Sequence, residues 1–380
     1  MNRLILSLIA LILVLYLPSC KKENPVSEEI VIGEFGSLTG TTATFGISVK
    51  NGIDMAIRDV NAAGGVLGKK IRVIVEDDQG KPEEAQTVVT RLITKDRVVA
   101  VLGEVSSSRS LAAAPVCQQN KIPMISPSST NPRVTMVGDY IFRVCFIDTF
   151  QGFVMAQFVS NNLKLKNVAI LRDIKNDYSV GLADVFTEEF QKLGGRIVSD
   201  ESYSEGDNDF NAQLTLIKSK NPEAIFIPGY YTEAGLIARQ ARNLGIQVPL
   251  LGGDGWDSGS LWEIGGPALN NSYYSSHYAA KDPNPVVQKF VQDYKKQYGQ
   301  LPDTNAVLGY DAASFLFDAF RRSNSTDPAL VRDALASTKD FVGVTGRIEI
   351  DENRNPRKPA IILKVRDGEM DYVETIPPAN

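Results

Sequence analysis

The chain has 380 residues, carries 40 Lys and Arg against 45 Asp and Glu, and contains three cysteines and one histidine. That length is long for one hydrophobic core and suits two. The balanced, mildly acidic charge gives no global pull toward nucleic acid, and after the N-terminus no apolar run approaches membrane-spanning length.

Met1–Arg3 is a short basic start, and Leu4–Leu17 is an almost unbroken apolar run ending at Pro18-Ser19-Cys20. A basic start, an apolar stretch and a small residue before the cut read as a secretory signal peptide. The run is too short to span a membrane comfortably, which takes about 20 apolar residues. Leu17, Ser19 and Cys20 resemble a bacterial lipobox, in which the cysteine is acylated and becomes the new N-terminus. The alternative is a plain secretory signal. We therefore expect a lipoprotein signal peptide over 1–19, lipidation at Cys20 and a polar tether over 20–28. Two or three acyl chains give stable anchoring where one is marginal. The expected location is the cell envelope, lipid-anchored and facing the periplasm or the exterior. Lys21 follows where many inner-membrane lipoproteins carry Asp, which leaves an outer-membrane anchor open.

Strand and helix patterns then alternate. Ile30–Phe35 reads as a strand, followed by a polar Ser/Thr/Gly loop over 37–42 and a helix with Ile53, Ala56, Ile57 and Val60 on one face. Glycines at 64 and 65 close it. Ile71–Glu76 is a strand, about 82–96 a helix with proline in its first turn, and Val98–Leu102 a buried strand. The second half repeats the pattern. Strands are expected at Val168–Leu171, Arg196–Ser199, Ala224–Ile227 and Val248–Leu251. Helices between them carry Leu182, Phe186 and Phe190, then Phe210–Lys218, then Ala234, Ile237 and Ala241, with glycine joints at Gly194 and Gly245. Two series of such units imply parallel sheets covered by helices on both faces, in two doubly wound α/β lobes. The tail reads as helices over Val286–Tyr298, Asn305–Arg322 and Ala329–Ser337, then strand, turn and strand over Gly346–Ile350, Asp351–Asn355 and Ala360–Val365. Cys117 and Cys145 either pair or stay as buried thiols.

Ligands of open parallel sheets sit beyond the carboxyl ends of the strands. After Val98–Leu102 comes Gly103-Glu104-Val105-Ser106-Ser107-Ser108, which opens a helix. After Met124–Ser126 comes Pro127-Ser128-Ser129-Thr130-Asn131-Pro132. Hydroxyls and backbone N–H groups at helix starts suit a carboxylate, although ordinary capping would use the same residues. In the second half, Val248–Leu251 ends in Gly252-Gly253-Asp254-Gly255-Trp256, where Asp254 could hold an ammonium or cap a turn. Tyr178 and Tyr230-Tyr231 follow two other strands, as cleft walls or as packing residues.

These segments, with GSLTGTTATFG (36–46), NAAGGVLGKKI (61–71), YIFRVCFID (140–148) and GYYTEAG (229–235), give the chain a resemblance to the periplasmic Leu/Ile/Val-binding proteins. Those are type I amino-acid-binding receptors of ABC importers, and the resemblance spans essentially the whole mature chain. It implies the type I periplasmic binding protein fold: two Rossmann-like lobes with a ligand cleft between them. The implied lobes are 29–145 plus 279–351 and 146–278 plus 352–380, joined at hinge crossings near Val144–Asp148, Ser276–Ala279 and Asp351–Asn355. The implied ligand site is Ser107 with Val105 and Ser106, then Ser128, Ser129 and Thr130, for the carboxylate. Asp254 serves the ammonium, Tyr178 and Tyr230 close over the ligand, and Phe45 lies near its side chain. Asp254 stands where branched-chain binders carry Glu, and Trp256 departs from their pattern, so the ligand's identity stays open.

The implied function is capture of a small amino acid or related carboxylate by cleft closure, with delivery to ABC permease subunits; no cofactor or metal is implied. The alternative is a ligand-sensing receptor component that binds an amide, a urea derivative or an aromatic acid. An enzyme is not expected: the chain has one histidine, His277, and no metal-ligand spacing, nucleotide loop or nucleophile elbow.

Overall fold

The computed structural model describes residues 29–378; the expected signal peptide, Cys20 and the tether lie outside the described residues. Five strands form the first sheet: β1 (Glu29–Gly36), β2 (Lys70–Asp77), β3 (Val101–Leu102), β4 (Met124–Ser126) and β5 (Ile141–Arg143). They are all parallel, in the order β2-β1-β3-β4-β5. Alternation along β1 sends Ile30 and Ile32 into one apolar cluster and Val31 and Phe35 into another. Both faces of the sheet are therefore covered, as a parallel sheet requires.

The chain then builds β6 (Asn167–Asp173), β7 (Arg196–Tyr203), β8 (Ala224–Phe226), β9 (Leu250–Gly252) and β10 (Ser272–Ser276), again parallel and in the order β7-β6-β8-β9-β10. Each lobe thus repeats one strand order, 2-1-3-4-5, whose switch point falls between its first and third strands. After β10 the helices Pro285–Tyr298, Thr304–Ser323 and Pro328–Ala336 return to the first lobe. Thr304–Ser323 lies tightly on Ala43–Ala62: a Cβ on Gly52 would meet the Ala306 carbonyl at 1.9 Å, and one on Gly309 the Val49 carbonyl at 2.5 Å. A short ribbon, β11 (Phe341–Gly343) with β12 (Gly346–Ile348), precedes the last passage between lobes.

The second sheet is not purely parallel. It ends in β13 (Ala360–Arg366), antiparallel to β10, and β14 (Glu369–Ile376), antiparallel to β13. No helix separates these strands, so the chain reverses through Asp367-Gly368, both at positive φ (51° and 85°). That is the two-residue turn suited to a hairpin. The glycine joints at 64, 194 and 245 all have positive φ, the left-handed conformation that ends a helix at no steric cost. Cys117 and Cys145 are buried free thiols.

Candidate functional site

The two switch points face each other. The loops after β1, β3 and β4 and those after β6, β8 and β9 enclose a small cavity, lined by Phe45, Val105, Ser128, Thr130, Tyr178, Tyr230, Asp254, Gly255 and Asn305. Seven residues singled out by sequence meet there. Ser106, Ser107 and Ser129 lie behind the lining.

The first-lobe wall is tied to itself. The Glu104 carbonyl accepts hydrogen bonds from the hydroxyls of Ser126 (2.7 Å), Ser129 (2.9 Å) and Ser110 (3.3 Å). The Ser129 hydroxyl also lies 3.0 Å from the Val105 carbonyl and 2.7 Å from the Ser110 hydroxyl. Ser129 therefore braces the loop from within and does not face the cavity. The Ser107 hydroxyl accepts from the Asn131 N–H at 3.2 Å and so joins the two serine loops. Ser106 stands at the N-cap of the Ser107–Gln119 helix and makes no side-chain capping bond. That helix start is thus not closed in the ordinary way, and its N–H groups suit an anion. Beneath the loop, Ser106 N–H and Ser37 N–H donate to the Glu104 carboxylate. Burial, with Asp78 adding to it and Arg109 opposing, pushes Glu104 up to about 8.

The second-lobe wall centres on Asp254, which is 5 % exposed and opens a short 3-10 turn. Gln151 Nε2 donates to its Oδ1 at 2.7 Å, and His277 Nε2 lies 3.1 Å from its Oδ2. Burial lowers the pKa of His277, with Asp254 opposing. The imidazole is therefore neutral and faces the carboxylate with its Nε2–H. Phe146 holds it by stacking at 3.7 Å. Neither partner of Asp254 carries a charge. Asp148 is also buried, with its carboxyl beside the Thr130 side chain. Burial, and then the charge of Asp254, drives its pKa well up. Tyr178 accepts the Gly255 N–H at 3.1 Å and stacks on Tyr230 at 5.4 Å. Phe45, from the other lobe, meets Tyr230 edge-on at 5.3 Å. Among the described residues no lysine or arginine lines the cavity.

Direct contacts join the lobes at the cavity rim. Ser108 Oγ accepts the N–H of Asp177, the first residue of the Asp177–Lys192 helix, at 2.9 Å and reaches that residue's carboxylate at 2.9 Å. Asn131 Nδ2 donates to the Asp177 carbonyl at 2.8 Å. Arg109, 1 % exposed, pairs with Glu205 across the gap at 2.8 Å. The Tyr231 and Thr232 hydroxyls donate to the Thr41 carbonyl at 3.0 and 2.8 Å.

Three features were not read from sequence. Asn305 and Gly255 join the lining, and His277 supports Asp254. Trp256 does not touch the cavity: its Nε1–H donates to the Ile227 carbonyl at 3.0 Å, its ring fills the space over Gly252, and it is fully buried. A roomier groove opens at the crossings between Phe146, Phe150, Phe153 and Pro356. Its buried polar members already have partners, Lys358 on the Val144 carbonyl and Asn355 on Thr135. The smaller cavity, with its converging polar groups, is the better site.

The family described as periplasmic binding protein matches residues 29–369. A Leu/Ile/Val-binding protein homologue of Brucella melitensis is 32% identical over 348 residues, 90% of this chain and 93% of its own. The fold is similar to the leucine-binding protein LivK of Thermotoga maritima, with a TM-score of 0.89 and 41% identity over 92% of this chain and 99% of that one. It is also similar to LivJ of Streptococcus pneumoniae in complex with isoleucine, with a TM-score of 0.88 and 35% identity over 92% and 100% of the two chains.

Proposed function

Because the chain belongs to the periplasmic binding protein family, we propose that its cavity captures a small α-amino acid and presents it, lobes closed, to the permease of an ABC importer. The observation that carries this reading is Asp254, a buried carboxylate with only neutral partners, set opposite a hydroxyl-lined loop. A zwitterion is costly to desolvate unless both charges find partners. The loops at Val105–Ser107 and Ser128–Thr130 receive the carboxylate through hydroxyls and N–H groups. Asp254 takes the ammonium, and Tyr178 and Tyr230 cover the ligand. Partners split between two lobes make binding and closure one event, so the ligand shifts the population toward the closed state. The lobes divide as 29–145 plus 279–351 and 146–278 plus 352–380, and the crossings near 144–148, 276–279 and 351–355 act as hinges. Lipidation at Cys20 would hold the protein at the membrane, close to the permease it serves.

The test is a thermal-shift screen of the mature protein against amino acids, amides and small organic acids. A ligand at 100 times its Kd adds about 2.7 kcal/mol of stability. A melt shifted by organic acids and by no amino acid would refute the amino-acid reading and leave the binder reading standing.

A further inference from the structure

Asn305 is the second residue of the Thr304–Ser323 helix. It is 1 % exposed and lines the cavity. Its Nδ2 donates to the Asp257 backbone carbonyl at 3.3 Å. Its Oδ1 is buried and has no hydrogen-bond partner among the described residues. The orientation of the amide follows from its neighbour: a backbone carbonyl only accepts, so the NH₂ faces Asp257 and the oxygen is the free end. Buried carbonyls without partners are rare and costly, and each calls for an explanation.

The position of this acceptor says what it waits for. Ser48 Oγ donates to Asp303 at 2.7 Å, which sets the start of the Thr304–Ser323 helix against the first turns of the Ala43–Ala62 helix. Asn305 therefore lines the cavity from the same lobe as Phe45, the residue expected near the ligand's side chain, and the side chains of Phe45 and Val105 offer no donor. We propose that Asn305 Oδ1 accepts a hydrogen bond from the ligand's side chain. The ligand class is then an amino acid bearing a side-chain O–H or amide N–H, in preference to an aliphatic isostere. This inference rests on the amino-acid reading above. A site built to bond such a group rejects an analogue that lacks it far more strongly than an apolar pocket rejects an extra hydroxyl, because the analogue leaves the protein's polar group unpaired.

The test is isothermal calorimetry of the mature protein with two near-isosteric pairs, threonine with valine and asparagine with leucine. In at least one pair the donor-bearing member is expected to bind tighter by about tenfold or more. Asn305→Leu should erase or invert that preference and spare the affinity of the aliphatic member. The wild-type comparison stands even if the variant folds poorly, and a melt of the variant checks its fold. Valine and leucine binding the wild type as tightly as their partners would overturn the inference while leaving the amino-acid reading intact. So would an equal loss for both members of a pair in Asn305→Leu, which would make Asn305 a strut for the 254–257 loop or an ammonium partner. Binding of none of the four amino acids, with organic acids bound, would overturn the reading beneath it as well.

Discussion

The two walls of the cavity are built on opposite plans. In the first lobe, Ser110, Ser126 and Ser129 direct their hydroxyls to the Glu104 carbonyl, and Ser107 ties the two loops together. That wall holds its shape through its own hydrogen bonds. In the second lobe, Asp254 sits between neutral donors, and Tyr230 meets Phe45 of the other lobe edge-on. The first wall spends its polar groups on shape, and the second holds back an unbalanced charge. A receptor that must recognise a zwitterion and also sense its arrival gains from this division: a fixed half gives geometry, and a half that completes itself on closure gives the signal.

Removing the charge tests the second wall most directly. Asp254→Asn should cost on the order of 3–5 kcal/mol of amino-acid binding by calorimetry and leave the ligand-free melt nearly unchanged. Affinity within a few-fold of wild type would show that the two walls do not divide the work in this way. The first wall should respond to pH instead. The folded pKa of Glu104, about 8, lies above its ordinary value of 4.5. Its contribution to stability is therefore complete below about pH 4.5 and is lost as pH rises through about 8. Denaturant titrations of the ligand-free protein should show Glu104→Gln flattening the decline between those limits, by on the order of 1–3 kcal/mol. An unchanged slope would separate Glu104 from the pH dependence.

Smaller effects refine the contrast. Ser129→Ala should lower stability by about 1–2 kcal/mol, because buried carbonyls lose their donor, and should weaken binding less than Asp254→Asn does. The opposite ranking would place Ser129 in direct contact with the ligand. Glu205→Gln should reduce affinity by about 0.3–1 kcal/mol through a less populated closed state, with the difference shrinking at high salt. A salt-independent loss would rule out a screened ion pair as the cause.

The strand-end loops were legible in sequence because the alternating pattern locates the ends of the strands; serine and tyrosine there also cap and pack, and it was the family resemblance that joined them into one site. Asn305 was not legible. It sits inside a helical pattern whose apolar residues, Val307 and Leu308 among them, dominate the reading, and it is long-range packing at Gly52 and Gly309, with the Ser48–Asp303 bond, that brings that helix start to the cavity. His277 looked like a residue of a crossing, since nothing local announces that Asp254 lies beside it. Trp256 was named only as a departure from the branched-chain pattern; the absence of a Cβ at Gly252 lets its ring pack against that residue, away from the cavity. The β13–β14 hairpin carried a readable sign, Asp367-Gly368, that the helical grammar before it obscured.

Ser108 ends a helix that does not belong to its own lobe. The N–H of Asp177, the first of the Asp177–Lys192 helix, finds its acceptor across the cleft, while the next N–H, of Tyr178, is held locally by Asn176. Parting the lobes frees the first amide and leaves the second bonded. Deuterium uptake at Asp177, read against Tyr178 as an internal clock, would therefore count openings of the cleft one amide at a time, with no label attached and no ligand added.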